Sequence, residues 1–427
     1  MEEVRPTAIM QQTKKHLQIG GAIALLLSAA VSARAAAFDL PDQDAFAIGR
    51  GMAVAATADN PSAIYYNPAG ITQLQGNNLR AGIYGIDLDP GYKPPASAPN
   101  AGNTYDNQFK YHAIPQLYYT YTPKDWLVSF GLGVYSPFGL GVIWPQDTGF
   151  RTVATEGKLF TETINPVVAI KLLPSLSIGG GVMVNYAKIR LQQGVTPVPG
   201  NDLFQFDGDG WNVGYNLGVL WQPDEKISFG GTFHSGTTMN FNGQTETILP
   251  PFYPNTSPHS GSANSAWQFP IKAIVGVSYR PTPKWNLEFD ADYTDWSALG
   301  TVNLNQSSPP FFMPPTTPIT LNWQSSCYYE FGATRYFDNG WHVSAGYIFN
   351  ENSVPDANYT PLVADLDRHF ISVGVGRKGK NLDFDIAYQF GYGPTRTVSG
   401  ATGLSAPANG DYSFISHAVA VSVGWHF

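Results

Sequence analysis

The sequence predicts an all-β fold: a transmembrane, 14-stranded antiparallel β-barrel with a small, partly helical N-terminal hatch inside its lumen. Three observations predict it. From Leu79 onward apolar residues recur at every second position, the pattern of strands with one buried face. The connections alternate between short turns and long loops. The only long apolar run lies at the N-terminus and is organised as an export signal.

Composition sets the outer bounds. Of 427 residues, 43% are hydrophobic and only 13% charged, about half the charge of an ordinary soluble domain. This apolar content is far too high for a disordered chain. A formal net charge of -8, with no Lys/Arg block, argues against a nucleic-acid partner. The single cysteine, Cys327, excludes an internal disulfide framework and a cysteine-based metal cluster.

In chain order, residues 1–35 read as a signal peptide. Lys14, Lys15 and His16 form its basic start, Ile19 to Ala30 its apolar centre, and Ala33-Arg34-Ala35 its cleavage site. The apolar centre is shorter than the ~20 residues of a spanning helix. The mature chain starts at Ala36, with Phe38 as second choice; Met10 is an alternative initiator.

Residues 36–78 form the hatch. A small-residue run from Ala45 to Ala58 leads into Asn60-Pro61 and Asn67-Pro68. Proline fixes φ and pushes its predecessor out of the α region, so each Asn-Pro marks a turn or a short helix start. A 14-stranded barrel is too wide to be filled by its own side chains, and this stretch is the material available to plug it.

Residues 79–427 form the barrel. In the last strand Ile415, Val419, Val421, Val423 and Trp425 alternate with Ser416, Ala418, Ala420, Ser422 and Gly424. In another, Trp285, Leu287, Phe289 and Tyr293 alternate with Asn286, Glu288, Asp290, Asp292 and Thr294. Trp126, Trp285, Trp296, Trp341 and Trp425 stand at strand ends as an interfacial girdle. Short turns cluster at 122–125, 173–175, 222–225, 280–283, 337–340 and 378–381, between long stretches near 89–113, 138–157, 193–208, 247–263, 305–320, 351–366 and 398–410. Six turns and seven loops imply fourteen strands, and lipid demands that such a sheet close.

Several motifs, in order, resemble the outer-membrane long-chain fatty acid transporter family (the FadL/OmpP1/TodX type, which includes monoaromatic hydrocarbon channels). They are Ala36-Ala37-Phe38-Asp39-Leu40, Gly49-Arg50-Gly51 followed by Asn67-Pro68-Ala69, and Gly149-Phe150-Arg151 with Asn165-Pro166. Leu176-Ser177-Ile178-Gly179-Gly180-Gly181, Asp292-Tyr293-Thr294-Asp295-Trp296-Ser297 and Gly424-Trp425-His426-Phe427 complete the set.

The resemblance implies that a hydrophobic ligand adsorbs in an outer-loop groove, here Leu203, Phe204, Phe206, Leu249, Phe252 and Tyr253. The ligand then enters a lumenal pocket against the hatch, here Phe38, Leu40, Lys188 and Arg190, and leaves through a kink in the third strand, here Pro137, Phe138 and Gly139. Asn67, Pro68 and Ala69 would be rigid scaffold of the hatch. Proline and glycine do break ladder hydrogen bonds and favour bulges. Where the family pattern suggests a second lumenal lysine, the run reads Trp323-Gln324-Ser325-Ser326, which leaves room for uncharged hydrocarbons. Arg335 and Arg377 are candidates to neutralise the lumenal acids Glu288, Asp290, Asp292, Asp383 and Asp385.

Catalytic and metal motifs are absent: there is no Gly-x-Ser-x-Gly elbow and no paired-histidine spacing, so no enzyme activity and no cofactor are expected. Transport would be passive, and the partners are a fatty acid or hydrocarbon, outer-membrane lipids and lipopolysaccharide. The terminal Phe427 resembles the signal read by the barrel-assembly machinery, and a monomer is expected. A hydrocarbon channel and a general polar porin remain as alternative functions.

Overall fold

The computed structural model describes residues 38–251, 258–310 and 313–427. The expected signal peptide, and Phe252 and Tyr253 of the expected groove, lie outside the described residues.

The strands are β1 (Gly76–Lys93), β2 (Tyr111–Thr122), β3 (Val128–Tyr135, resumed at Gly139–Ile143), β4 (Glu156–Leu173), β5 (Leu176–Gln193) and β6 (Leu203–Trp221). There follow β7 (Ile227–His234 and Thr237–Ile248), β8 (His259–Phe269 and Lys272–Thr282), β9 (Trp285–Thr294 and Thr301–Gln306) and β10 (Thr316–Thr320 and Ser326–Tyr336). The last four are β11 (Trp341–Asn350), β12 (Arg368–Lys378), β13 (Leu382–Val398) and β14 (Gly410–His426). Each pairs antiparallel with its neighbour, and β1 pairs with β14 from Asn78↔His426 to Lys93↔Asp411, which closes a 14-stranded barrel.

The period-two pattern sorts the faces. Ile371, Val373, Val375, Val419, Val421 and Val423 point outward and are exposed, whereas Ser416, Ala418, Ala420 and Ser422 are buried. Trp126, Trp285, Trp341 and Trp425 are exposed on the short-turn rim, as a girdle requires. Trp296 is the exception: it is fully buried in the lumen.

Inside lie helix α1 (Ala45–Gly49), helix α2 (Ala63–Tyr66) and the 3-10 turn Pro68–Gln73. Asp44 caps α1 by accepting from the Phe46 N–H, and Asn67 caps the 3-10 turn, whose first residue is Pro68. Close approach of plug to wall needs small residues on both sides. A Cβ at Gly346 would stand 2.0 Å from the Gly51 nitrogen, and one at Gly230 2.0 Å from the Ala55 oxygen.

Candidate functional site

The site is built where the chain's first described residues meet a flaw in the wall. Pro137 has no N–H to give the ladder. β3 pairs Tyr135 with Thr163 of β4 and then Gly139 with Phe160, so four steps on β3 match three on β4 and one residue bulges. On its other side β3 has no described ladder pairing with β2 beyond Leu117↔Val134. The β2–β3 seam therefore opens from Gln116 outward. It is bridged again only at the top, where Gln108 N–H donates to Ile143 O at 2.8 Å and Ile143 N–H to the Asn107 side chain at 2.9 Å.

Residues 38–43 run along this flaw as a strap. Gly139 N–H donates to Phe38 O, and Leu40 N–H to Pro137 O, both at 2.9 Å. The Gln43 amide reaches Ser136 O at 2.7 Å. The backbone groups freed by the proline are thus partly satisfied by the strap. Phe38 sits in an aromatic cage of Phe138, Phe269, Trp296 and Trp323, with ring centroids 4.6–6.0 Å away. Asp39 pairs with Lys272 of β8 at 2.6 Å, and Lys272 also holds Asp292 at 2.8 Å.

Two cavities meet at Phe38. The inner one, about 390 Å³, is lined by Leu40, Tyr84, Tyr328, Phe370 and Phe414, and it extends through both edges of the open seam. There it reaches Phe109, Tyr111 and Phe160, all exposed on the outer wall. The outer cavity, about 430 Å³, lies towards the long loops among Ile189, Leu191, Phe206, Phe241, Trp267 and Trp323. No Asp, Glu, Lys, Arg or His lines it among the described residues. Both volumes fall in the range of small-molecule pockets.

Below the cavities the plug is pinned by buried ion pairs. Arg50 meets Glu288 at 3.1 Å, and Glu288 also accepts from the Ala56 N–H at 2.7 Å and from the Thr57 hydroxyl. Arg80 holds Asp44 and Asp385, the latter at 2.7 Å, and His342 shares Asp385. Asn67 donates to Ala55 O at 2.7 Å and to Val219 O on β6 at 2.9 Å; Pro68 and the fully buried Ala69 pack beside it. Burial pushes the Asp42 carboxyl of the strap up to about 7, against the opposing hydrogen bond from Gln389.

Several expected positions change. Lys188 and Arg190 face away from the lumen; Arg190 pairs outside with Asp207 at 2.7 Å, and the inward positions belong to Ile189 and Leu191. Phe204 and Phe206 lie on β6 rather than on a loop and line the outer cavity. Leu203 begins β6 on its other face, and Leu249 follows β7, half-buried and outside both cavities. Arg335 and Arg377 lie over Trp285 and Trp341 at 5.2 and 6.0 Å on the outer wall, so Glu288, Asp385 and Asp292 are met instead by Arg50, Arg80 and Lys272, while Asp290 accepts from the Ala55 N–H and Asp383 lies against His426. Arg80 and Lys272 look unremarkable in sequence, and Arg50 stands out there only as part of the Gly49-Arg50-Gly51 motif. The available signal was an acid-rich inward face that needed counter-charges.

Comparison with known proteins fits this architecture. A family described as "Outer membrane protein transport protein (OMPP1/FadL/TodX)" matches residues 26–427. The long-chain fatty acid transport protein of Salmonella typhi is 23% identical over 413 residues, covering 89% of this chain and 92% of that protein. Outer membrane protein P1 of Haemophilus influenzae is 23% identical over 462 residues, covering 95% and 97%. Among solved structures, a Pseudomonas aeruginosa FadL homologue superposes with a TM-score of 0.79 at 18% identity, covering 92% of this chain and 100% of that one. The Pseudomonas putida toluene transporter TodX gives 0.72 at 16% identity, again covering 92% and 100%.

Proposed function

The chain belongs to the OMPP1/FadL/TodX family of outer-membrane transport proteins, and on that premise we propose that it admits hydrophobic small molecules, long-chain fatty acids foremost, by passive lateral diffusion. It is a transport protein of the Gram-negative outer membrane and not an enzyme.

One observation carries the lateral route: an apolar cavity that begins at the strap and runs out through the unpaired β2–β3 seam to the lipid-facing wall. A solute that prefers lipid to water gains by leaving sideways. The proposed sequence has three stages. Ligand collects in the uncharged outer cavity, passes Phe38 when the strap lifts from Pro137 and Gly139, and leaves between β2 and β3. The plug, residues 38–75, stays anchored by Arg50 and Arg80 and serves as the hatch, with Asn67-Pro68-Ala69 as its scaffold. Outer-membrane lipid and lipopolysaccharide surround the wall, the terminal Phe427 engages the assembly machinery, and the barrel acts as a monomer.

Monoaromatic or alkane hydrocarbons are the second reading, favoured by the absence of charge around the outer cavity. A general polar porin is opposed by the tightly packed plug, in which Ala53, Ala56, Ile64, Ala69 and Ile71 are fully buried.

The test uses the strap itself. A Cβ at Gly139 would lie 2.5 Å from the Leu40 side chain, so Leu40→Cys with Gly139→Cys, in a Cys327→Ser background, would staple strap to wall. Uptake of oleate and toluene should cease on oxidation and return on reduction. Undiminished uptake through the oxidised barrel would refute the lateral route.

A further inference from the structure

We infer that the outer wall of β7, β8 and β9 carries a saccharide site, a shallow cavity that takes the neutral sugar hydroxyls of a glycolipid in the surrounding outer leaflet. It goes beyond the uptake reading, because it faces away from the lumen. Asn242 of β7 stands opposite Asn264 of β8, and Asn264 opposite Asn305 of β9. All three are exposed, while their strand neighbours Phe241, Ser265 and Leu304 are buried and line the outer lumenal cavity. The three amides thus form one rung across three strands. With Ser262 and Ser307 they line a cavity of about 390 Å³ on the outside of the wall. No Asp, Glu, Lys, Arg or His lines it among the described residues.

The height of this rung argues for its occupant. Asn242 is paired with Asp209 of β6, and two residues below Asp209 on that strand Trp211, 62% exposed, begins the lipid-facing run. The amides therefore stand one step above the lipid, at the level of head groups. A phosphate there would want cations, which the cavity lacks. A sugar hydroxyl both donates and accepts, and so does a side-chain amide.

The rung is held in place by its own hydrogen bonds. Asn305 donates to the Asn264 Oδ1 at 3.1 Å and accepts from the Thr316 hydroxyl at 3.0 Å; the Ser307 hydroxyl donates to Ser262 O at 3.1 Å. Asn264 Nδ2 and Asn242 Oδ1 are left without a partner among the described residues, a donor beside an acceptor. A second observation is independent of these exposed groups. Gln306 also lines the cavity, is 5% exposed, and has a hydrogen-bond partner on neither its amide oxygen nor its amide nitrogen. A buried amide left unpaired costs free energy, and a ligand hydroxyl would recover it.

The experiment titrates the purified full barrel with two lipopolysaccharides on the same lipid A, one with a complete core saccharide and one truncated before the neutral hexoses. The free core saccharide is the third probe. Wild type should hold the complete form on the order of tenfold more tightly than the truncated one, the effect of a few neutral hydrogen bonds. The free saccharide should bind more weakly than the lipid-borne one. Asn242→Ala/Asn264→Ala changes exposed positions only, and it should bring the ratio close to one while oleate uptake stays unchanged. Gln306→Leu removes an unpaired amide, so it should keep the thermal midpoint and still lower the ratio. Equal binding of the two lipopolysaccharides by wild type, or a preference that survives the double variant, overturns the inference. Equal affinity for free and lipid-borne core would make a soluble glycan the occupant, and self-association lost in the double variant would make it a second copy of this chain; either overturns the assignment to the leaflet.

Discussion

The two ends of the lumen are built from the same strands in opposite styles. Towards the short turns, inward positions carry small and charged residues, and the plug fills the space to contact. Towards the long loops, inward positions carry aromatics, and space remains for two cavities. β6 shows the change within one strand. From Trp211 to Trp221 the exposed apolar residues Trp211, Val213, Tyr215, Leu217, Val219 and Trp221 face lipid while Asn212 and Asn216 face the lumen; from Phe204 to Phe206 the apolar residues face inward while Gln205 and Asp207 face out. The side-chain period of 2 never breaks, but its polarity reverses where the wall leaves the membrane. Lipid asks for apolar surface outside, and water above it asks for the opposite. One closed sheet thus surrounds both a tightly packed plug and a vestibule lined mainly by apolar side chains.

This contrast predicts that changes at the seal cost more than changes near the strap. The largest effect is expected from Glu288→Ala, which strands Arg50 in the plug. Breaking one side of a buried pair costs about 3–5 kcal/mol, read as a lower denaturation midpoint and the onset of ion conductance in planar bilayers. A silent bilayer and an unchanged midpoint would contradict the role given to this pair.

Asp39→Asn should come next. Lys272 keeps Asp292, so the loss is that of one charged contact, about 1.5–3 kcal/mol, confined to strap docking. A single cysteine placed at Leu40 should then react faster with a thiol reagent while barrel stability holds. Gly346→Ala places a methyl against the Gly51 nitrogen, and overpacking of this kind costs about 1–3 kcal/mol. Crystallography or thermal melting of the variant would register the displaced plug, and an unmoved α1 would count against the tight seal.

The smallest expected effect is a pH dependence at Asp42. Burial raises its native value from 3.8 to about 7, so the native state binds the proton more tightly than the unfolded chain. Its contribution to strap docking is therefore present at low pH and declines as pH rises from the ordinary carboxylate value through about 7. Asp39 and Lys272 face the same region, and Gln389 donates to the carboxylate. Relative to an exposed reference cysteine, so that thiolate ionisation cancels, strap labelling should be slower at pH 5 than at pH 8, and Asp42→Asn should flatten the difference. A slope that persists in Asp42→Asn would assign it to another group.

Much of the fold was legible before any coordinates. Alternation in β9 and β14 identified the lipid face, and the rhythm of turns and loops counted the strands. Pro137 announced the interruption of β3 because a missing N–H is a local fact. Phe204 and Phe206 were misread as loop because their polarity is reversed relative to the membrane segment, although the period is intact. Lys188 and Arg190 were misplaced by one residue of register, which on a strand means the opposite face.

What the amino-acid order determined by itself was therefore what near neighbours set: strand period, the rhythm of turns and loops, and the broken ladder. Only closure of the barrel decided which distant charges meet. Arg50 finds Glu288 across 238 residues, Arg80 finds Asp385 across 305, and Asp39 finds Lys272 across 233. Such pairs are selected by desolvation in a shared interior, and no local pattern encodes them. The same holds for the cavities: Phe38, Phe414 and the β2–β3 seam become one site only when a closed sheet folds around its own N-terminus.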